Sequence, residues 1–467
     1  MRYVSTRGEA PPLGFEDTLL AGLAADGGLY VPEAWPSLSP AEWRALRCLP
    51  YADLAARLLA PFVGEAFDRA ALLRLCREAW QGFGHPAIAP LVQLDHRLFA
   101  LELFHGPTLA FKDLALQLLG RMFDAVLARR GARITIVGAT SGDTGSAAIE
   151  ACRDRARIDI VILHPKGRTS AIQRRQMTTV LAPNVGNVAV EGTFDDCQDL
   201  VKAMFADRRF REEMRLAAVN SINWARVAAQ IPYYAHAALA LGAPDRAVAF
   251  AVPTGNFGNV LAAWAARRMG LPVHSLILGA NRNDILARFI SANDMSIRAV
   301  EPSLSPSMDI QVSSNFERLL FELLDRDAAA TASVMARFRA EGRMPVPDAA
   351  WRRATALFRA AAVDDEATLA EIARLNRAGY LADPHTAIGV AAARAHMPAD
   401  ADIPVIVAAT AHPAKFPDAV ARATGRRPAL PARLADLETL PEQYVVLPND
   451  LAAVEGFVRR HALKEAA

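Results

Sequence analysis

RITIVGATSGDTGSAA, residues 133–148, decides the fold. Arg133 to Ala139 is a β-branched, apolar run of the length a buried strand needs. The turn after it sets Gly142 and Gly145 among small hydroxyl residues, and the sequence from Ser146 reads as a helix. A strand that breaks at glycines and re-enters as a helix is the repeating unit of an α/β sheet. Backbone N–H groups in such a turn point at an anion, and the helix N-terminus adds partial positive charge. The turn is neither a GxGxxG fingerprint nor a GxxxxGKS/T loop, which weakens dinucleotide and nucleotide readings.

The same pattern recurs along the chain. Ile158 to Pro165 is a second apolar run, and Asn187 to Gly192 leads into a helix written TFDDCQDLVKAMF. Ala247 to Pro253 precedes TGNFGN and a helix ending near Met269; VHSLILGA (273–280) and Ile403 to Ala409 follow. Continuous apolar strands separated by helices indicate a parallel sheet covered on both faces. Ligands in such sheets sit at the carboxyl ends of the strands, where the Gly-rich turns fall. PTGNFGN (253–259) is a second anion cradle, although either cradle alone also reads as an ordinary tight turn. Two cradles suit a site holding two anionic groups.

Outside this alternation, residues 1–95 read as a mainly helical N-terminal domain, with helices expected over Phe15–Leu23, Ala41–Arg47, Tyr51–Ala60 and Asp68–Trp80. Residues 96–425 form the catalytic region, with a smaller subdomain at about 113–240. Asp325 to about Leu375 is Ala- and Arg-rich and reads as surface helices. Residues 426–467 read as a linker and a last helix, NDLAAVEGFVRRHALK.

Composition narrows the function classes. The 467 residues are 52% hydrophobic and 22% charged, which fits a globular protein with an ample core in more than one domain. With 52 basic against 50 acidic residues, the net charge of +2 gives no reason to propose nucleic acid or an anionic membrane as partner. No apolar run approaches the ~18 residues of a membrane helix, and the N-terminus shows no signal segment. Cys48, Cys76, Cys152 and Cys197 are scattered, so neither a disulfide framework nor a metal site is expected, and a cytoplasmic location is.

The sharpest chemical feature is LELFHGPTLAFKDLALQLLG, residues 101–120. Lys112 stands in an apolar stretch at a helix start. Desolvation lowers a lysine's pKa and leaves more of it as the neutral amine that condenses with an aldehyde, so lysines placed like this form Schiff bases with pyridoxal phosphate. Asn223 and Arg226, three apart at a helix start, have the chemistry to grip a phosphate. Ser313, Ser314 and Asn315 crowd another helix entrance, and Thr410 and His412 close the last core strand. Singly, each of these also reads as a cap or a satisfied core group.

Taken together, YVSTRG (3–8), GLAADGGLYVP (22–32), HGPTLAFKD (105–113), TSGDTGSAA (140–148), NSINWAR (220–226), PTGNFGN, MDIQVSSNFERL (308–319) and HPAKF (412–416) resemble the threonine synthases, in the order that family has them. The family belongs to the tryptophan-synthase-β-like, fold type II class of pyridoxal-phosphate enzymes. The resemblance spans residues 1 to about 420 and implies two open, mostly parallel sheets flanked by helices. It implies that Lys112 carries pyridoxal 5′-phosphate and shuttles protons, that Gly255, Asn256, Phe257 and Gly258 hold the cofactor phosphate, and that Thr410 meets the pyridine nitrogen. Thr140, Ser141, Gly142, Asp143 and Thr144 would receive the substrate carboxylate, and Asn223 and Arg226 the substrate phosphate.

The implied reaction is a carbon–oxygen lyase reaction that turns O-phospho-L-homoserine and water into L-threonine and phosphate. Domain closure over the site is expected, because early entry of water would divert the reaction. The motifs leave open a fold type II lyase or dehydratase releasing 2-oxobutyrate, and a pyridoxal-phosphate-binding sensor without turnover. They also leave open whether the protein is a monomer or a homodimer.

Overall fold

The computed structural model describes residues 1–462 and resolves the alternation into two parallel sheets, with a small antiparallel one near the N-terminus. The five-stranded sheet runs in the order Val445–Pro448, Val185–Glu191, Ile158–Pro165, Ile134–Ala139 and Leu216–Ala217, every neighbouring pair parallel. The six-stranded sheet runs Phe358–Ala362, Val273–Ala280, Val248–Pro253, Val405–Ala409, Leu98–Glu102 and Leu91–Gln93, with only the last pair antiparallel.

The central strands of both sheets are buried on two faces, which explains their uninterrupted apolar runs. Ile158, Ile160 and Ile162 pack with Leu116, Leu119 and Ile149 of the helices Lys112–Arg130 and Asp143–Cys152. The intervening Val161 and Leu163 pack with Leu200, Met204, Val454 and Val458 of the helices Phe194–Ala206 and Leu451–Ala462. The period of two assigns each side chain its face. In the larger sheet, Ala249, Ala251, Val405 and Val407 meet Val390 and Ala393 of the helix Pro384–Ala395.

One close approach ties the two helices that carry Lys112 and the Gly-rich turn. A Cβ on Gly120 would lie 2.4 Å from the carbonyl oxygen of Ala151, so only glycine lets the helix Lys112–Arg130 rest against the helix Asp143–Cys152. That second helix begins at Asp143, three residues before the expected start at Ser146.

The N-terminal segment departs in part from the helical expectation. Its helices are present (Phe15–Ala21, Pro40–Ala45, Tyr51–Val63 and Arg69–Trp80), but Leu13–Gly14, Arg2–Ser5 and Tyr30–Pro32 form a three-stranded antiparallel sheet. Trp224, fully buried, packs among Tyr3, Trp35 and Phe62 and so joins this segment to the sheet-bearing part of the chain.

Two stretches do more than was expected of them. Between the helices of residues 325–375, Phe358–Ala362 forms an edge strand of the larger sheet, and the helices bury Val334, Phe338, Ala350 and Ile372. Residues 426–467, expected as linker and helix, also contribute the strand Val445–Pro448, parallel to Val185–Glu191. The helix Leu451–Ala462 matches the expected one; Leu463 and Lys464, its last expected residues, lie outside the described residues. Among the described residues, no helix is long and apolar enough to cross a membrane.

Candidate active site

The site sits at the carboxyl edge of the larger sheet, where two neighbouring strands release two loops that stay paired. Leu98–Glu102 lies beside Val405–Ala409. Beyond them the Phe111 N–H donates to the Thr410 carbonyl at 2.8 Å, and the His412 N–H donates to the Leu109 carbonyl at 3.0 Å. Lys112 and Thr410 are thereby drawn together across almost 300 residues of sequence. The loop before Lys112 is fixed by Asp113, fully buried, which accepts from the Thr108 N–H at 2.8 Å and its hydroxyl at 2.7 Å.

Lys112 is the first residue of its helix and almost buried. Its Nζ lies 3.4 Å from Oδ2 of Asp143. Burial pushes the Lys112 amine below its ordinary value; Asp143 opposes this, while Lys415 and Arg226 push it further down.

Asp143 is the most heavily bonded group in the site. It accepts from Gln173 Nε2 at 2.9 Å and Ser307 Oγ at 3.0 Å, and it pairs with Lys415 Nζ at 2.8 Å. Burial alone would raise its pKa, but the charges of Lys415 and Lys112 and its hydrogen bonds outweigh that and hold it well below the usual carboxylate range.

The rest of the 140–144 loop is built around its own hydroxyl. Thr140 Oγ1 accepts from the N–H groups of Gly142 and Gly145, both at 2.9 Å, which curls the turn. Gly142 has φ +143°, and a Cβ there would stand 2.4 Å from the side chain of Gln173. Ser141 and Thr144 remain half-buried, and the N-cap residue Gly142 has no side chain of its own to offer, so Thr140 alone reaches back to the helix N-terminus.

The second cradle is uncapped. Gly258 opens the helix Gly258–Arg268, and Phe257 before it holds φ +65°, a strained value for a bulky residue. Residues 313–315 strap this turn. Ser313 Oγ donates to the Gly255 carbonyl at 2.7 Å, and Ser314 Oγ to Asn256 Oδ1 at 3.3 Å.

Asn223 and Arg226 do different jobs. Asn223 is fully buried; its Oδ1 caps the helix Trp224–Ala228 through the Ala225 N–H, and its Nδ2 donates to the Leu19 carbonyl at 2.8 Å. Each of its polar atoms thus has a protein partner, and one N–H of Nδ2 is left over. Arg226, almost buried, gives one N–H to the Val219 carbonyl at 3.0 Å and has no carboxylate partner among the described residues. Burial pushes it down to about 10.

Sequence reasoning missed Lys415, Gln173 and Ser307. Lys415 stands in HPAKF, where Thr410 and His412 drew the attention, yet a lysine in an apolar stretch is the signal that singled out Lys112. Gln173 and Ser307 carry no local signal, because each meets Asp143 only through the fold.

A family model described as pyridoxal-phosphate dependent enzyme matches residues 85–337, and two others, threonine synthase N terminus and threonine synthase C-terminal, match residues 2–80 and 386–458. A threonine synthase of Pseudomonas aeruginosa is 57% identical over 463 residues, covering 99% of this chain and 98% of that one. The chain belongs to the threonine synthase family. A crystal structure of pyridoxal-phosphate-bound threonine synthase from Brucella melitensis superposes with a TM-score of 0.96 at 53% identity, and that of the yeast threonine synthase with 0.94 at 38%, each covering 99% of both chains. The threonine synthase likeness runs to residue 458, past the limit of about 420 read from the motifs.

The residues present fit pyridoxal phosphate. An uncapped helix N-terminus at a Gly-rich turn suits its phosphate, the buried Lys112 its aldehyde, and the Thr410 residue, 6% exposed on a loop paired to that of Lys112, its ring.

Proposed function

We propose that this chain converts O-phospho-L-homoserine and water to L-threonine and phosphate, with pyridoxal phosphate carried on Lys112. The observation that supports it most directly is a buried lysine whose one nearby carboxylate is already neutralised by a second lysine. Such a lysine is available as an amine rather than locked as an ammonium. When bound, the cofactor supplies an electron sink that makes the substrate's Cα and Cβ protons acidic.

The chain's own groups do the rest. Lys112 takes a proton from Cα, removes one from Cβ, and returns protons as the product forms. The Gly255–Gly258 turn holds the cofactor phosphate, and the Thr410 hydroxyl faces the ring nitrogen. The 140–144 loop receives the substrate carboxylate through the N–H groups of Ser141, Asp143 and Thr144, while the Gly142 N–H stays on Thr140. Arg226, with donors to spare, takes the substrate phosphate, which leaves Cγ as a stable anion; Asn223 keeps Arg226's helix in place. Water then adds its oxygen at Cβ. Asp143 joins the two sheets through Ser307 and Lys415, and closure of the domains about it would hold off early water. The four cysteines are free thiols, and we place the enzyme in the reducing cytoplasm.

The test is product identification. Protein and cofactor are incubated with O-phospho-L-homoserine and the products read by NMR. Threonine with stoichiometric phosphate is the expected result; 2-oxobutyrate would move the function to a lyase, and no turnover to a sensor.

A further inference from the structure

Lys415 has no exposed surface, and its ammonium is spent on two acceptors: Asp143 Oδ1 at 2.8 Å and the Thr108 carbonyl at 2.7 Å. These acceptors have different owners. Asp143 begins a helix packed on the five-stranded sheet, whereas Thr108 belongs to the loop that presents Lys112 and also fixes Asp113. Lys415 itself follows Val405–Ala409 of the six-stranded sheet. One buried charge thus joins both sheets and the lysine loop.

The geometry divides Asp143 unequally. Lys415 holds Oδ1 at 2.8 Å, while Lys112 stands off at 3.4 Å from Oδ2. Without Lys415, the buried carboxylate would have Lys112 as its remaining ammonium partner, and Lys112 would be held in the protonated form that cannot attack an aldehyde. We propose that Lys415 is a positioning residue that takes the Asp143 carboxylate for itself and so leaves Lys112 a free amine to receive the cofactor. The proposal rests on Lys112 being the cofactor-bearing lysine.

The charged groups acting on Lys112 are Asp143, Lys415 and Arg226, and Asp113 acts on Lys415. Gln173 and Ser307, the other partners of Asp143, are uncharged. Removing Lys415 therefore changes the balance at Lys112 in one direction.

The experiment uses the full-length chain freed of cofactor. The rate at which it captures added pyridoxal phosphate, read from near-visible absorbance, is measured against pH. Borohydride reduction and peptide mapping identify the modified lysine. In the wild type the label falls on Lys112. In Lys415→Met the pH midpoint of capture rises by about one unit, so capture near neutral pH slows about tenfold. Lys415→Arg restores most of the wild-type midpoint. Asp143→Asn/Lys415→Met, which removes both members of the buried pair together, brings the midpoint back down.

Should Lys415→Met fail to fold, Lys415→Gln keeps a donor toward Asp143 and Thr108 without the charge and raises the midpoint alike. A purely structural role would lower Tm in these variants while leaving the midpoint alone, and that result overturns the proposal. So does an equal rise in the double variant. A wild-type label on Lys415 would instead overturn the assignment of Lys112 beneath it.

Discussion

Asn315 grips Asn256 by the backbone: its N–H donates to the Asn256 carbonyl at 3.1 Å, in the middle of the second Gly-rich turn. Immediately after it, the helix Phe316–Leu323 is anchored to the N-terminal segment. Glu317 pairs with Arg7 at 2.8 Å and accepts the Thr6 hydroxyl at 2.7 Å, and Arg318 donates to the Tyr30 carbonyl at 2.9 Å. The N-terminal segment thereby bears on the proposed phosphate turn through a strap of three residues.

Ser313→Ala should loosen that turn. Losing the hydrogen bond to the Gly255 carbonyl costs about 1 kcal/mol, or roughly a fivefold weaker affinity for pyridoxal phosphate. Cofactor titration followed by fluorescence checks this, with Tm staying near the wild-type value. An unchanged affinity would free the strap from any role in cofactor binding.

Lys112→Ala should abolish both the near-visible absorbance of the bound cofactor and turnover. The measurement is an absorption spectrum of purified protein saturated with cofactor. A band of wild-type intensity would place the cofactor on another lysine, and Lys415 is the neighbour to map first.

Arg226→Ala should raise KM for O-phospho-L-homoserine about 30-fold or more, as expected for loss of one partner of a buried charged contact. Cofactor affinity should change by no more than about twofold. Steady-state kinetics beside a cofactor titration separates the two, and an equal loss of both would undo the phosphate assignment.

How much of this was legible beforehand follows the physics of each element. Ile158–Pro165 matched its expected bounds because a fully buried strand must be apolar throughout. Phe358–Ala362 was not legible, since the alanines and arginine of FRAAA favour helix; pairing with Leu276–Ala280 makes it a strand. Lys112 and the two Gly-rich turns announce themselves locally, through desolvation and backbone freedom. Asn and Arg at the spacing of Asn223 and Arg226 suit a phosphate, but an asparagine at a helix start serves equally as a cap; that Asn223 Oδ1 caps its helix while Nδ2 reaches the Leu19 carbonyl is a product of the fold and has no local signal.

Asp113 predicts a pH dependence. Burial pushes it up to about 6, against hydrogen bonds from Thr108 and the charge of Lys415. Because the folded value is the higher one, the folded chain keeps a proton that the unfolded chain gives up. Its contribution to stability is therefore full below the ordinary value of 3.8 and is lost as pH rises through about 6. The gap is worth about 3 kcal/mol. Asp143, depressed, runs the other way: its contribution is present above 3.8 and falls away only on further acidification. Urea midpoints between pH 4.5 and pH 7 should thus fall more steeply for the wild type than for Asp113→Asn, whose amide still pairs with Thr108. Parallel slopes would remove Asp113 as the cause.

The strand Val445–Pro448 lies beside Val185–Glu191, more than 250 residues earlier in the chain. During synthesis, the edge that Val185–Glu191 presents stays unpaired until residues 445–448 have emerged, and the apolar ground under Val454 and Val458 stays bare longer still. The earlier-made sheet must wait, exposed, for a strand made more than 250 residues later, and until then its open edge and apolar ground are free to pair wrongly.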